Sequence, residues 1–249
     1  MSGRSAPKLK VGGTLGLDDL YVRRIEDDAV FDALADREFC NILTSRQMGK
    51  SSLMVRLMTR LRIERDARIA SIDMAGDLGT PSLFDDGSDL PDGSNWYIGF
   101  LDKVALDLEL DCDADEWWRE EGRGTANQRL LQFFRTMVGA RFTQPVYIFV
   151  DEVDASLKLP YSDDFFTAVR SIYNQRATVA EFRQITFCLV GVASPSELIK
   201  ERRTTPYNVG RTIELRDFHP DRDDLTPLYA AMSADGAPGK ELVAAVLQR

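Results

Sequence analysis

Thr44-Ser45-Arg46-Gln47-Met48-Gly49-Lys50-Ser51 stands between a short apolar run, Phe39-Cys40-Asn41-Ile42-Leu43, and a stretch with apolar residues at Leu53, Met54, Leu57, Met58 and Leu61. The run reads as a strand and the spacing after it as a helix, so the octapeptide is a strand-to-helix loop ending in Gly-Lys-Ser. That is the context of a phosphate-binding P-loop. Backbone N–H groups of the loop and the helix N-terminus converge on an anion. In such a loop Lys50 reaches the β- and γ-phosphates, and the Ser51 hydroxyl takes a position on Mg2+. Gly49 lets the backbone approach closely where a Cβ would crowd the ligand. The usual pattern opens with Gly five residues before the second Gly; here that residue is Thr44.

About a hundred residues on, Val146-Tyr147-Ile148-Phe149-Val150 is a continuous apolar, β-branched and aromatic run ending in Asp151-Glu152. Such a run fits a strand buried on both faces, and an acidic pair at its C-terminal end is the Walker-B arrangement. Asp151 is placed to hold the Mg2+ shell, usually through water. Glu152, one residue on, faces the γ-phosphate side, where a base orients an attacking water. A third run, Ile185 to Val192, ends in Ala193-Ser194-Pro195. P-loop ATPases with a catalytic Glu insert an extra strand between the Walker-A and Walker-B strands, with a polar γ-phosphate sensor at its tip. Ser194 fits that sensor, and Ser-Pro-Ser-Glu is equally good helix-capping sequence.

The composition bounds the class. The chain has 249 residues, 44% apolar and 29% charged, enough for one large α/β domain with or without an appendage. A net charge of −9 makes bulk attraction to nucleic acid or an anionic membrane unfavourable. Cys40, Cys112 and Cys188 are odd in number and widely spaced; they read as reduced thiols of a cytoplasmic protein. No apolar segment reaches the roughly 18 residues of a membrane span. His219 is the sole histidine, which leaves a Ser-His-Asp mechanism or a His-rich metal site almost nothing to work with.

Along the chain, residues 1–20 read as a flexible N-terminal arm, 21–218 as the P-loop core and 219–249 as the start of a helical lid. Tyr21-Val22-Arg23-Arg24 leads into a helical pattern from Ile25 to Ala35, which either folds over the adenine or simply packs. Arg68 to Asp73 reads as a buried strand, and Gly76 to Ser94 as a long polar loop. Helical periodicity follows at Trp96–Leu110 and Asn127–Val138, and again from Ser162, with Trp117-Trp118 a packing pair or a partner contact. Arg211 to Leu215 reads as a last strand. The alternation predicts a parallel sheet with helices on both faces and the extra strand between the two Walker strands. The closing helical pattern stops at Arg249 without a cap, as expected of a piece of a longer protein.

With these residues in hand, the chain resembles the bacterial AAA-like domain of the STAND class, signal-transduction ATPases related to AAA+ proteins. The segments that carry the likeness are Tyr21-Val22-Arg23, Arg46 to Leu53, Phe149 to Asp154, Ser162 to Phe166, Thr186 to Pro195 and Asn208 to Arg211. In that family the first Walker-A Gly is often absent. The resemblance implies ATP or ADP with Mg2+ on Thr44–Ser52, the base against Tyr21 and Val22, and the metal on Ser51 and Asp151. It further implies Glu152, Lys50, Ser194 and an arginine as the catalytic set. Arg202 and Arg203 stand about where related ATPases place a finger or sensor arginine, with Arg211 the second choice; each could equally be a surface ion-pairing residue. The domain typically sits ahead of sensor repeats or beside an effector, and nucleotide state gates homo-oligomerisation.

The function expected is therefore an ATP-binding, slowly hydrolysing switch of a signalling or defence protein. A nucleic-acid-linked initiator ATPase shares the core motifs, but no basic wing is visible. A scaffold that holds ADP without turnover has no need of Glu152, and a small-molecule kinase has none of the Asp-Glu pair.

Overall fold

The computed structural model describes residues 10, 12–78, 93–159, 162–192, 209–232, 239, 241 and 243. Five parallel strands form one sheet: β1 (Cys40–Leu43), β2 (Arg68–Asp73), β3 (Val146–Asp151), β4 (Ile185–Gly191) and β5 (Arg211–Thr212), in the order β2-β3-β4-β1-β5. The expected extra strand is β4, between the strand that feeds the P-loop and the strand that ends in Asp151.

Residue alternation assigns the two faces. Val146, Ile148 and Val150 of β3 point one way, with Phe187 and Leu189 of β4; Tyr147 and Phe149 point the other, with Cys188 and Val190. On the second face lie α1 (Ile25–Ala35) and α2 (Lys50–Arg65). On the first lie α3 (Ser94–Asp107), α5 (Ala126–Phe133) and α6 (Ser162–Gln175), with the single turn α4 (Ala114–Glu116). Every residue of β3 and β4 is buried, as the near-continuous apolar runs require when helices cover both sides.

The first face is aromatic. Trp117 and Trp118 are buried there, Trp118 stacked 5.5 Å from Tyr97, so the Trp pair packs. The helix expected over Asn127–Val138 is α-helical to Phe133 and continues as a π-helical turn, Phe134–Gly139. Gly139 touches the backbone of Glu181 so closely that a Cβ would lie 2.3 Å from its carbonyl oxygen.

Both sheet edges are managed locally. At β2 the outward N–H of Ser71 donates to Asp107 Oδ2 (2.8 Å) and that of Asp73 to Asp77 Oδ2 (2.9 Å), which removes donors an added strand would use. At the other edge β5 covers only Arg211–Thr212 rather than Arg211–Leu215, although Ile213 N still donates to Asn41 O at 2.9 Å. Buried Asn41 holds this edge by donating Nδ2 to Val209 O (2.8 Å). Gly210 has φ +79°, and a Cβ on it would lie 2.2 Å from Phe39 O.

The arm expected over residues 1–20 is held from Gly12 onward: Leu15 N donates to Ser52 Oγ at 3.0 Å, and Leu20 is buried with Val22, Leu225 and Val243. After β5 the chain reaches α7 (Thr226–Met232). None of the described helices is long and apolar enough to cross a membrane.

Gly210 yields a direct test. Left-handed backbone costs an L-residue about 1–2 kcal/mol, and overpacking typically adds 1–3 kcal/mol. Gly210→Ala should therefore lose roughly 2–5 kcal/mol in chemical denaturation; an unchanged midpoint would show that β5 is not held by this contact.

Candidate functional site

The P-loop begins where β1 stops. Thr44 N donates to Gly191 O at 3.1 Å, so the loop leaves the sheet beside the tip of β4. The Thr44 hydroxyl donates to Leu215 O at 3.3 Å, an anchor that a glycine at this opening position could not supply. Gln47 and Gly49 take left-handed conformations at φ +63° and +80°, and Gly49 is the N-cap of α2. This curls the loop around the N-terminus of α2, whose first N–H groups have no partner within the helix.

Lys50 folds over the loop and donates Nζ to Thr44 O (2.9 Å) and Ser45 O (2.7 Å). Burial pulls its pKa below the usual lysine value, against the opposing pull of Asp151, Asp154 and Glu152. Ser51 Oγ donates to Asp151 Oδ2 at 3.2 Å, which joins the P-loop to the end of β3. Asp151 also accepts from Glu152 N at 2.8 Å. Its carboxyl is pushed above the ordinary range by burial first and by the nearby Asp73 charge second. Glu152 is raised too, by desolvation and then by Asp154 and Asp151. It sits at φ +54°, a costly conformation for a non-glycine residue and one that clusters at functional sites.

A cavity of about 590 Å³ opens over these groups, lined by Arg46, Gln47, Gly49, Lys50, Ser51 and Ser52 on the loop side and by Asp151, Glu152 and Asp154 on the strand side. Gly191 and Val192 at the tip of β4, and the segment Gly12–Thr14, complete the wall. Asp154 fastens the strand tips together, accepting from Val192 N at 3.1 Å. Mg2+ fits this set: Ser51 and Asp151 offer hard oxygen ligands side by side, and the buried Asp151 carboxylate lies near a second, Asp73.

Ser194, Arg202 and Arg203 fall outside the described residues. Arg211 pairs with Cys40 at the start of β1, a strand length from the P-loop, so it stands at the wrong end of the sheet to meet a phosphate. Met48 packs toward the α1/α2 core. Tyr21 and Val22, expected over the base, are absent from the cavity wall. Val22 is buried against Leu225 and Val243, and the Tyr21 hydroxyl donates to Asp27 Oδ2 at 2.7 Å while Arg56 covers its ring.

One residue was missed in the sequence. Arg24 is buried, donates Nε to Arg216 O at 3.1 Å and lies 3.9 Å over the Phe218 ring. A Cβ on Gly49 would stand 3.6 Å from its Nη1. Two consecutive arginines were the only signal, and it does not distinguish them: Arg23 is exposed and pairs with Asp28.

A family model described as AAA-like domain matches residues 16–244. An uncharacterized WD repeat-containing protein of Synechocystis sp. is 35% identical over 244 residues, 96% of this chain and 19% of that protein. Among solved structures, the ORC2 protein of Aeropyrum pernix is similar at 14% identity. Its ADP form gives a TM-score of 0.56 over 85% of this chain and 51% of that one; its ADPNP-ADP complexes give 0.55 over 83% and 49%. The chain thus spans about half of the ORC2 chain and far less of the WD-repeat relative. At that identity the ORC2 likeness speaks for the fold, whereas the family match runs from the segment before Tyr21 through α7: this chain belongs to the AAA-like domain family.

Proposed function

We propose that this domain is an ATP-binding, slowly hydrolysing switch of the STAND type. In this reading it alternates between ATP and ADP and works with sensor or effector domains of a larger cytoplasmic signalling or defence protein. The observation that carries the reading is the meeting of Lys50, Ser51 and Asp151, with the Ser51–Asp151 contact at 3.2 Å and Glu152 one residue beyond. Ser51 and Asp151 would hold Mg2+, which would supply charge neutralisation for phosphoryl transfer at this site. Lys50 binds the phosphates, and Glu152 orients the attacking water and takes its proton.

Slow turnover is supported by charge. Among the described residues the cavity wall carries two cations, Arg46 and Lys50, against the three carboxylates of Asp151, Glu152 and Asp154. An arginine on the γ-phosphate is worth about 10³–10⁵ in rate. In this proposal Arg203 or Arg202 supplies it within the chain or across a homo-oligomer contact, and Ser194 senses the γ-phosphate. The size of the WD-repeat relative supports a multidomain setting. The net charge of −9 weighs against a nucleic-acid-linked initiator role.

Lys50→Ala should abolish ADP and ATP binding in calorimetry while the circular-dichroism spectrum stays that of the parent. Parent-like affinity in that variant would remove the P-loop reading.

The two acidic residues should separate cleanly. Glu152→Gln is expected to keep ATP affinity within about threefold while phosphate release falls roughly 10²–10⁴-fold, the usual worth of a general base. Asp151→Asn should instead weaken Mg2+-dependent binding. Without ligand it should melt above the parent at neutral pH, because a carboxyl whose folded pKa is raised costs stability when ionised. Equal affinity losses in both variants would refute this division of roles.

A further inference from the structure

One wall of the cavity belongs to none of the phosphate-binding motifs. Gly12, Gly13 and Thr14 line it about thirty residues ahead of the P-loop, and the segment is fixed there. Leu15 N donates to Ser52 Oγ (3.0 Å), Lys10 Nζ to Thr14 O (2.7 Å), and Arg56 Nη2 to both Gly16 O and Asp19 O (3.1 Å each). Both glycines have positive φ, +83° and +73°. Their lack of a side chain is not a matter of protein packing. A Cβ on Gly12 would meet no atom within 4 Å, and one on Gly13 only the end of Lys10 at 3.9 Å. Among the described residues, the N–H groups of Gly12, Gly13 and Thr14 donate to no acceptor.

The position along the cavity tells what this wall meets. The carboxylates of Asp151, Glu152 and Asp154, with Lys50 and Ser51, mark the metal and terminal-phosphate side. A polyphosphate starting there runs along the N-terminus of α2, and the next side chain of that helix facing the cavity is Ser52, to which this segment is bonded. Beyond the phosphates in that direction come a sugar and a base. The volume of about 590 Å³ falls within the roughly 300–1,000 Å³ of small-molecule sites. We propose that Gly12–Thr14 is the backbone wall against which the nucleoside of a bound nucleoside di- or triphosphate rests, an inference that rests on the phosphate-site reading above. Bare glycine backbone lets the sugar and base come within contact distance and offers them free N–H donors.

The test compares ADP with inorganic tripolyphosphate on the 249-residue chain, both with Mg2+, by calorimetry. Gly12→Val and Gly13→Val should each weaken ADP at least tenfold and change tripolyphosphate less than twofold. Independently of any variant, ADP should slow amide exchange at residues 12–15, and tripolyphosphate should not. Parent-like ADP affinity in both variants overturns the proposal. So does equal loss of both ligands, which would mean that the segment acts on the phosphates or the fold. Unchanged exchange at 12–15 on ADP binding overturns it as well. A parent that binds neither ligand would instead sink the phosphate site itself, and this wall with it.

Discussion

Three neighbouring parallel strands have to end at one level, and the whole site depends on that. Cys40 of β1 pairs with Cys188 of β4, which in turn pairs with Phe149 of β3. Counting on from that row brings Leu43, Gly191 and the Asp151–Glu152 step to the same edge. A shift of β4 by one residue would turn every side chain of the strand to the other face. It would also break the Thr44–Gly191 and Val192–Asp154 bonds that fasten the tips. Gly191 is needed there on steric grounds, since a Cβ would lie 2.7 Å from Val153 Cγ2. The two fully buried faces fix the register, and the register sets the distance between the P-loop and the acidic pair.

That edge gathers more negative charge than the fold alone would choose. Asp151 and Glu152 both have raised pKa values because burial and neighbouring carboxylates disfavour their ionised forms. Glu152 and Gln47 also hold left-handed backbone. Each of these features costs stability in the folded chain. The aromatic face carries the compensating stability: Phe100, Phe133, Phe165 and Phe187 are completely buried, each worth roughly 1.5–3 kcal/mol of transfer free energy.

Where the sequence was readable, the signal was periodicity joined to a chemical endpoint. Apolar runs ending in Gly-Lys-Ser or Asp-Glu identify strands and the groups at their tips together, so the P-loop, the acidic pair and the inserted strand were all legible. Gly12–Thr14 was not, because a glycine pair without periodicity looks the same whether it hangs in solvent or lines a cavity; only the Leu15–Ser52 contact separates the cases. Arg211, the second choice for a finger or sensor arginine and equally a surface residue, lies at the Cys40 end of the strand pair, and sequence order says nothing of which end of a strand a residue occupies. The Gly210 contact with Phe39 sets that end. Tyr21 and Val22 alternate along an extended segment, and the structure turns them to different partners, Arg56 for one and Leu225 for the other.

Thr44 joins these points. As a missing glycine it reads as a weakened P-loop, yet its hydroxyl reaches Leu215 O, and the neighbouring Arg24 reaches Arg216 O and covers Phe218. Two side chains, one in the P-loop and one behind Gly49, thus grip consecutive carbonyls of the segment that runs from β5 to α7. Phe218 packs against the cluster of Leu20, Val22 and Leu225. A ligand can shift a conformational equilibrium only through contacts that differ between the two states. Here the contacts join the P-loop to the carbonyls of residues 215 and 216 and, through Phe218, to the cluster that holds α7. A glycine at position 44 would remove one of these two links, the hydroxyl bond to Leu215 O.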